Sequence, residues 1–247
     1  MSFSVLTLNL WNINEPLEAR QSALVMGLKI LRPDIVCLQE VSLDPRSARS
    51  QSELVANICN FAHSVENDGL SILCRYPIVQ SNSAALPEFP GDGPRSVLLA
   101  EFLIERRPLM VANTHLAYRP EMVQERKAQT ETLLAVIERH RPRGGERTKI
   151  LCGDFNDVPD SPAVRMVLES TERFHDAYVE CCPNTPGFTY STKNKYVDPS
   201  STVDQRIDYI FASYDLVPKD CKVVFDGSNG LDLVSDHFGV FCSLAFH

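Results

Sequence analysis

Residues Lys149–Pro159 read KILCGDFNDVP, a short apolar run that stops abruptly in Gly, Asp, Asn and Asp. The run Lys149–Cys152 has the length and composition of a buried strand. Asp154 and Asn156 do not extend such a strand. Taken alone, they read as an Asx turn, in which a side-chain oxygen binds nearby backbone. The same transition recurs along the chain. The first strand, Phe3–Leu8, runs into Asn9. The apolar stretch Asp34–Leu38 runs into Gln39-Glu40, and Leu109–Asn113 runs into Thr114-His115. Arg206–Ala212 carries Asp208 inside a strand pattern, and Ser235-Asp236-His237 precedes the strand Gly239–Phe246.

Each polar residue has an ordinary explanation by itself. Asn9 starts a turn, Glu40 is a solvated strand end, and His115 is a satisfied core histidine. Asp208 is harder to explain this way, because a buried carboxylate needs a partner. Six strands each delivering Asn, Asp, Glu or His at or near an end point to one shared cleft.

The rest of the chain alternates strands with helices. Helices are expected over Pro16–Leu31, with Pro16 in the first turn, Gln51–Ala62, Pro120–His140 and Ala163–Glu169. In the third of these, Leu133, Leu134 and Ile137 form the apolar side and Glu125, Arg126, Lys127 and Glu131 the charged one. Further strands are expected over Leu70–Cys74, Val97–Ile104 and Lys222–Phe225. Ser42–Ser50, Ser81–Arg95 and Pro183–Gln205 show no regular pattern. Long loops of this kind are often functional. No linker or repeat divides the sequence, so residues 1–247 read as one α/β domain.

The 247 residues are 44% hydrophobic and 23% charged, enough for a full core. The net charge of −8 argues against a general binder of duplex DNA, which carries a basic face. No stretch is apolar and long enough to span a membrane, and the N-terminus reads as a strand, not a signal peptide. Stable membrane insertion is not expected, and the location expected is cytoplasmic. The eight cysteines contain no Cys-x-x-Cys pair, which argues against zinc and for free thiols in a reducing compartment.

Glu40 and Asp236 are hard oxygen donors and Asn9 adds an amide oxygen, a set suited to Mg²⁺, with Mn²⁺ able to substitute. His115 and His237 can donate to phosphate oxygens, and Asp154 can accept a proton from water. A Gly-rich Walker loop and a Gly-x-Ser-x-Gly elbow are both missing, so neither NTP-driven nor acyl-serine chemistry has support.

Taken in order, TLNLWN, CLQEV, ANTHL, LCGDFNDVP, RIDYIF and SDHFGV resemble the endonuclease/exonuclease/phosphatase (DNase I-like) superfamily. The resemblance runs from residue 4 to residue 241. It implies a four-layer α/β sandwich, two packed mixed sheets flanked by helices, with the site at one end. It also implies roles. Glu40 resembles the principal Mg²⁺ ligand, with Asn9 and Asp236 beside it. Asp154 resembles the group that positions or deprotonates water, and Asn156 the one that holds phosphate and nucleophile. His115 and His237 resemble phosphate contacts, the latter oriented by Asp208. The activity implied is metal-assisted, in-line attack of water on a phosphate ester.

The substrate stays open between nucleic acid, a phospholipid head group and a small phosphodiester. Trp11 stands where the abasic-site branch has an acid, and DQRIDYIF lacks the inositol 5-phosphatase signature. GFTYSTKN…QRIDYIFAS is similar to the neutral sphingomyelinase branch. Arg95 and Arg119, in or beside rim loops, are candidate phosphate binders. Tyr190, with Phe188 and Phe89, is a candidate aromatic rim residue. The alternative is a catalytically silent binding or scaffold protein that keeps the fold.

Overall fold

The structure is a computed structural model and describes residues 2–140 and 148–247. In chain order its elements are β1 (Ser2–Asn9), α1 (Leu17–Leu31), β2 (Ile35–Gln39), β3 (Leu43–Asp44), β4 (Arg49–Ser50), α2 (Gln51–Cys59), β5 (His63–Asn67), β6 (Leu70–Cys74), β7 (Ile78–Ala85), β8 (Ser96–Ile104), β9 (Arg107–His115), α3 (Val123–Arg139), β10 (Thr148–Asp154), α4 (Pro162–Leu168), β11 (Phe174–Asp176), α5 (Ala177–Cys181), β12 (Asp208–Ser213), β13 (Leu216–Val224) and β14 (Gly239–Phe246). They build two six-stranded mixed sheets, ordered β13-β14-β1-β2-β6-β5 and β11-β12-β10-β9-β8-β7.

The period-2 alternation of each strand assigns the layers. Val5, Ile35, Cys37 and Val240 of the first sheet meet Val111, Ile150, Cys152 and Ile210 of the second in one buried core. The opposite faces are equally apolar. Leu6, Leu8, Val36 and Leu38 pack under Leu24 and Leu28 of α1 and Val55 of α2. Met110, Ala112, Leu151 and Phe211 pack under Leu133 and Ile137 of α3 and Val164 and Val167 of α4. The result is helix, sheet, sheet, helix, with near-continuous apolar strands because both faces are covered.

Several elements depart from the sequence expectations. The stretch expected as a loop from Ser81 begins instead as β7, paired antiparallel with β8. Its sequence, IVQSNSAA, is polar because it is an edge strand with much of its surface in solvent. Residues 42–50 hold the small β3–β4 hairpin. The strand expected over Lys222–Phe225 starts six residues earlier, at Leu216, and accommodates Pro218 at a register shift on the sheet edge. β5, β11 and α5 are short and carry little periodicity. Arg126, expected on the charged face of α3, is 2% exposed. The expectation of free thiols fails at one pair. Cys221 and Cys242 are register partners on β13 and β14 and are joined as a disulfide. No helix among the described residues is long and apolar enough to cross a membrane.

β9 and β10 run parallel with Asp154 opposite His115. Gly153 permits this. Its φ is +139°, and a Cβ there would lie 2.0 Å from the Thr114 carbonyl oxygen. Gly153→Ala therefore forces the two strands apart beside Asp154. The expected loss is about 2–4 kcal/mol from strain and overpacking, read as a lower urea midpoint at unchanged m-value. An unchanged midpoint contradicts this close approach.

Candidate active site

The inner-face alternation that builds the core continues to the end of each strand and turns polar there. β1 runs Val5, Thr7, Asn9; β9 runs Val111, Asn113, His115; β10 runs Ile150, Cys152, Asp154; β12 runs Ala212, Ile210, Asp208. Asn9, His115, Asp154 and Asp208 thus arrive at one end of the inter-sheet space. Glu40 follows β2 with φ +53°, and Asn156 follows β10 with φ +50°. Both occupy the left-handed region, sparsely used by side-chain-bearing residues and frequent at functional sites.

Asp154 is the hub and is 1% exposed. Its Oδ2 accepts from Asn9 Nδ2 at 2.9 Å and lies 3.4 Å from His115 Nε2 and 3.7 Å from His237 Nε2. Its Oδ1 accepts from the Asn156 backbone N–H at 2.8 Å, the Asx turn expected from the sequence. Asn156 Nδ2 donates to the Leu116 carbonyl at 3.1 Å. Asn9 Nδ2 also reaches Glu40 Oε1 at 3.2 Å, while its Oδ1 accepts from the Trp11 N–H at 2.8 Å. Asn9 therefore turns its amide nitrogen, not the oxygen expected as a ligand, toward the carboxylates. His237 Nδ1 and Asp208 Oδ2 are 2.9 Å apart. Asp208 Oδ1 is buried without a hydrogen-bond partner among the described residues.

The segment 183–205 is tied to the site, not a free excursion. Buried Thr189 accepts through Oγ1 from the N–H groups of Ile207 and Asp208 at 3.1 and 3.2 Å. Tyr190 exchanges backbone hydrogen bonds with Gln205 at 2.9 and 2.8 Å. Its ring meets His237 edge-on at 5.4 Å. Phe188 is exposed and Phe89 lies outside the groove lining.

Two lobes open from the carboxylates and meet at Glu40, His115 and Tyr118. One, about 430 Å³, is lined by Arg95, Asn12, Ser42 and Ser96. The other, about 560 Å³, is lined by Tyr190, Val158, Val203, Ile207 and Asp236. Arg95 is gripped by Asp92 through two bonds of 2.9 and 2.5 Å. Arg119 lies outside both linings, with its guanidinium 5.6 Å from the Tyr118 ring.

Sequence reasoning missed Tyr118 and two structural arginines. Arg20 gives five hydrogen bonds to the carbonyls of Leu10, Asn12, Asn14 and Val234, fixing the loop after β1 against the segment before Asp236. Arg126 pairs with Asp157 at 3.0 Å and bonds the carbonyls of Ala117, Arg119 and Pro120. Their only sequence signal is a basic residue in a helix position that faces inward.

Burial sets the electrostatics. It raises Glu40, and it raises Asp236 to about 6, in both cases against the help of nearby His237. It lowers His115 to about 4, so this imidazole is neutral at pH 7. Burial also opposes a charged His237, but the Asp208 and Asp154 carboxylates outweigh it and hold His237 well above its usual value. Among the described residues, neither Glu40, Asp236 nor Asp154 has a Lys or Arg partner within ion-pair distance. Clustered buried carboxylates with this charge deficit fit a hard divalent cation. Asp154, Asp208 and His237 also offer ligand atoms within 4.8 Å of one another.

The chain matches the Endonuclease/Exonuclease/phosphatase family over residues 6–237. It belongs to that family. Human protein angel homolog 1 is 30% identical over 165 residues, 58% of this chain and 24% of that protein. Drosophila melanogaster protein angel is 24% identical over 221 residues, 79% of this chain and 59% of that protein. The matches thus span about a quarter of the human relative and just over half of the fly one. An endonuclease/exonuclease/phosphatase from Bacteroides vulgatus superposes with TM-score 0.79 at 20% identity, covering 100% of both chains. D. rerio TDP2, complexed with a single-strand DNA product, superposes with TM-score 0.77 at 20% identity over 99% of each chain. These superpositions share the fold: two mixed sheets flanked by helices.

The raised His237 has a consequence for stability. Its ion pair with Asp208 contributes fully below the unfolded histidine pKa of about 6.5 and is lost as pH rises through the higher folded value. Asp208→Asn is expected to be most destabilising near pH 6, with the gap to wild type shrinking toward pH 9. Imidazole NMR should show His237 charged at pH 7 in the wild type and neutral in the variant. A pH-independent gap contradicts the pairing.

Proposed function

We infer that this protein is a Mg²⁺-dependent phosphodiesterase that hydrolyses a phosphodiester at or near the end of a single-stranded nucleic acid. The observation that carries the reading is the meeting of Asp154 with Asn9, His115 and His237 beside Glu40 and Asp236. It joins a proton acceptor, two phosphate donors and a cation-binding carboxylate pair in one buried end.

Each group has a task that its surroundings support. Asp154, held by Asn9 and by the Asn156 N–H, accepts the proton of an attacking water. His237, kept charged by Asp208, donates to a non-bridging phosphate oxygen, and neutral His115 donates from the other side. Asn156 steadies the same region from its strained turn. Glu40 and Asp236 would hold Mg²⁺, which supplies Lewis-acid charge at the phosphate when bound. Tyr190 closes the second lobe over His237, and Arg95 lines the first.

The substrate class rests on the groove and the relatives. The two lobes continue to either side of the carboxylates, as needed by a chain that extends beyond its scissile phosphate. Val158, Val203, Ile207 and Tyr190 suit a planar base more than a sugar or a second phosphate. A net charge of −8 suits a short single-stranded end better than long duplex contact. The structural neighbour holding single-strand DNA product supports the same class.

Asp154→Ala and His237→Gln are each expected to lower kcat by about 10³-fold. The panel is short single- and double-stranded DNA and RNA, a chromogenic phosphodiester and sphingomyelin vesicles, with Mg²⁺, Mn²⁺ or EDTA. Turnover of single-stranded oligonucleotides from an end, abolished by EDTA, is the expected result. Preferential cleavage of sphingomyelin overturns the substrate class, and failure to bind Mg²⁺ overturns the activity. Cation binding should also follow Asp236. With its pKa at about 6, Mg²⁺ must displace a proton at pH 5 but not at pH 7.5. Calorimetry is expected to show affinity about tenfold weaker at pH 5, with Asp236→Asn removing most of the difference and Glu40, also raised by burial, accounting for the rest.

A further inference from the structure

One layer below the site, the space between the sheets is still polar. Thr7, Gln39 and Asn113 are each fully buried and continue the inner faces of β1, β2 and β9. Gln39 Nε2 donates to Asn113 Oδ1 at 2.6 Å and to Thr7 Oγ1 at 3.0 Å. Asn113 Nδ2 donates to the carbonyls of Leu38 at 2.9 Å and Ser71 at 3.0 Å. Every one of the Asn113 side-chain bonds crosses from the second sheet to the first.

The position of this cluster matters because the site is divided between the sheets. Asn9, Glu40, Asp236 and His237 come from β1, β2 and the lead-in to β14, all of the first sheet. His115, Asp154 and Asp208 come from β9, β10 and β12, all of the second. Thr7 is two residues from Asn9, Gln39 adjoins Glu40, and Asn113 is two residues from His115. Below this cluster the sheets meet in the apolar core, which resists separation but slides at small cost because dispersion is non-directional, and above it the site itself adds the Asn9–Asp154 and His237–Asp208 links. Hydrogen bonds fix direction and length, and buried ones are expensive to break.

We propose that Gln39 and Asn113, with Thr7, are positioning residues that clamp the two sheets in the register at which the cation-side carboxylates face Asp154 and His115. The clamp touches no substrate. It rests on the hydrolytic reading of the same site. It predicts a specific split. The cation ligands proposed above, Glu40 and Asp236, lie within one sheet and should be indifferent to the clamp, whereas any step spanning both sheets should depend on it.

The test uses Gln39→Leu, Asn113→Leu and Thr7→Val in the full chain, with Thr7→Ser as the conservative control. Mg²⁺ affinity by calorimetry is expected within twofold of wild type in all four. Turnover should fall about tenfold to a hundredfold in the leucine variants, since small misplacements of reacting groups are costly. It should fall several-fold in Thr7→Val and hardly at all in Thr7→Ser. Inorganic phosphate provides a readout independent of turnover, because it must be held by both sheets at once. Its Mg²⁺-dependent affinity should fall about tenfold in the leucine variants. A wild type that hydrolyses nothing defeats the functional reading alone, and phosphate affinity then decides the clamp. Turnover and phosphate affinity within twofold of wild type in folded variants overturn it. So does a loss of Mg²⁺ affinity in parallel with turnover. If the leucine variants fail to fold, Thr7→Val decides, and wild-type turnover and phosphate affinity there overturn the clamp.

Discussion

The structure depends on keeping carboxylates at the end of an interface built to exclude water. Asp154 and Asp208 are essentially inaccessible, and Glu40 and Asp236 are largely covered. An isolated buried carboxylate is costly, and several together are more so. Part of the cost is offset locally. His237 compensates Asp208, two amide groups donate to Asp154, and Asn9 bridges Asp154 to Glu40. The remainder appears as raised proton affinity at Glu40 and Asp236. A folded protein that holds this much unneutralised acid in one place is poised for a cation.

Such an arrangement survives only if its surroundings cannot relax. The loops around it are held by buried groups that bind backbone. Arg20 draws four carbonyls together behind the loop after β1, Arg126 does the same under residues 117–120, and Thr189 anchors the long segment to the start of β12. A buried arginine is favourable only when its donors are used, and these two spend theirs on loop carbonyls and, for Arg126, on the Asp157 carboxylate. The rigidity lies in the loops around the site, and the sheets supply the register.

Much of this was legible in the sequence, for a physical reason. Strands buried on both faces must be apolar, so a polar residue at their ends stands out, as in KILCGD, LQE and VANTH. That contrast pointed to the converging residues, while the four-layer architecture was implied by the family resemblance of the same motifs. The edge strand β7 was not legible, because an exposed edge tolerates the polar sequence that loops also use. The Cys221–Cys242 pairing was not legible, because it follows from the antiparallel register of β13 and β14 and not from spacing. Arg126 looked like a solvated helix residue and Arg20 carried no reading, although both fall on the inward stripe of their helices, with Leu133 and Ile137 and with Leu24 and Leu28. Arg119 and Arg95 looked equivalent, yet only Arg95 lines the groove.

The division of the site between two sheets also constrains what it can act on. A ligand engaging only the first sheet meets mainly acid and is repelled unless a cation intervenes. A ligand engaging only the second meets His115 and a carboxylate hub that repels anions. Only a group that is anionic, compact and able to accept from several donors gains from both at once, and a tetrahedral phosphate has that shape. Selectivity among phosphate esters must then come from the lobes outside the sheets, where Tyr118, Tyr190, Val158 and Val203 stand on loops. Those loops can vary without disturbing the register beneath them. The same interior can therefore serve different esters, and the identity of this chain's substrate is written in the segments after β9, after β10 and before β12.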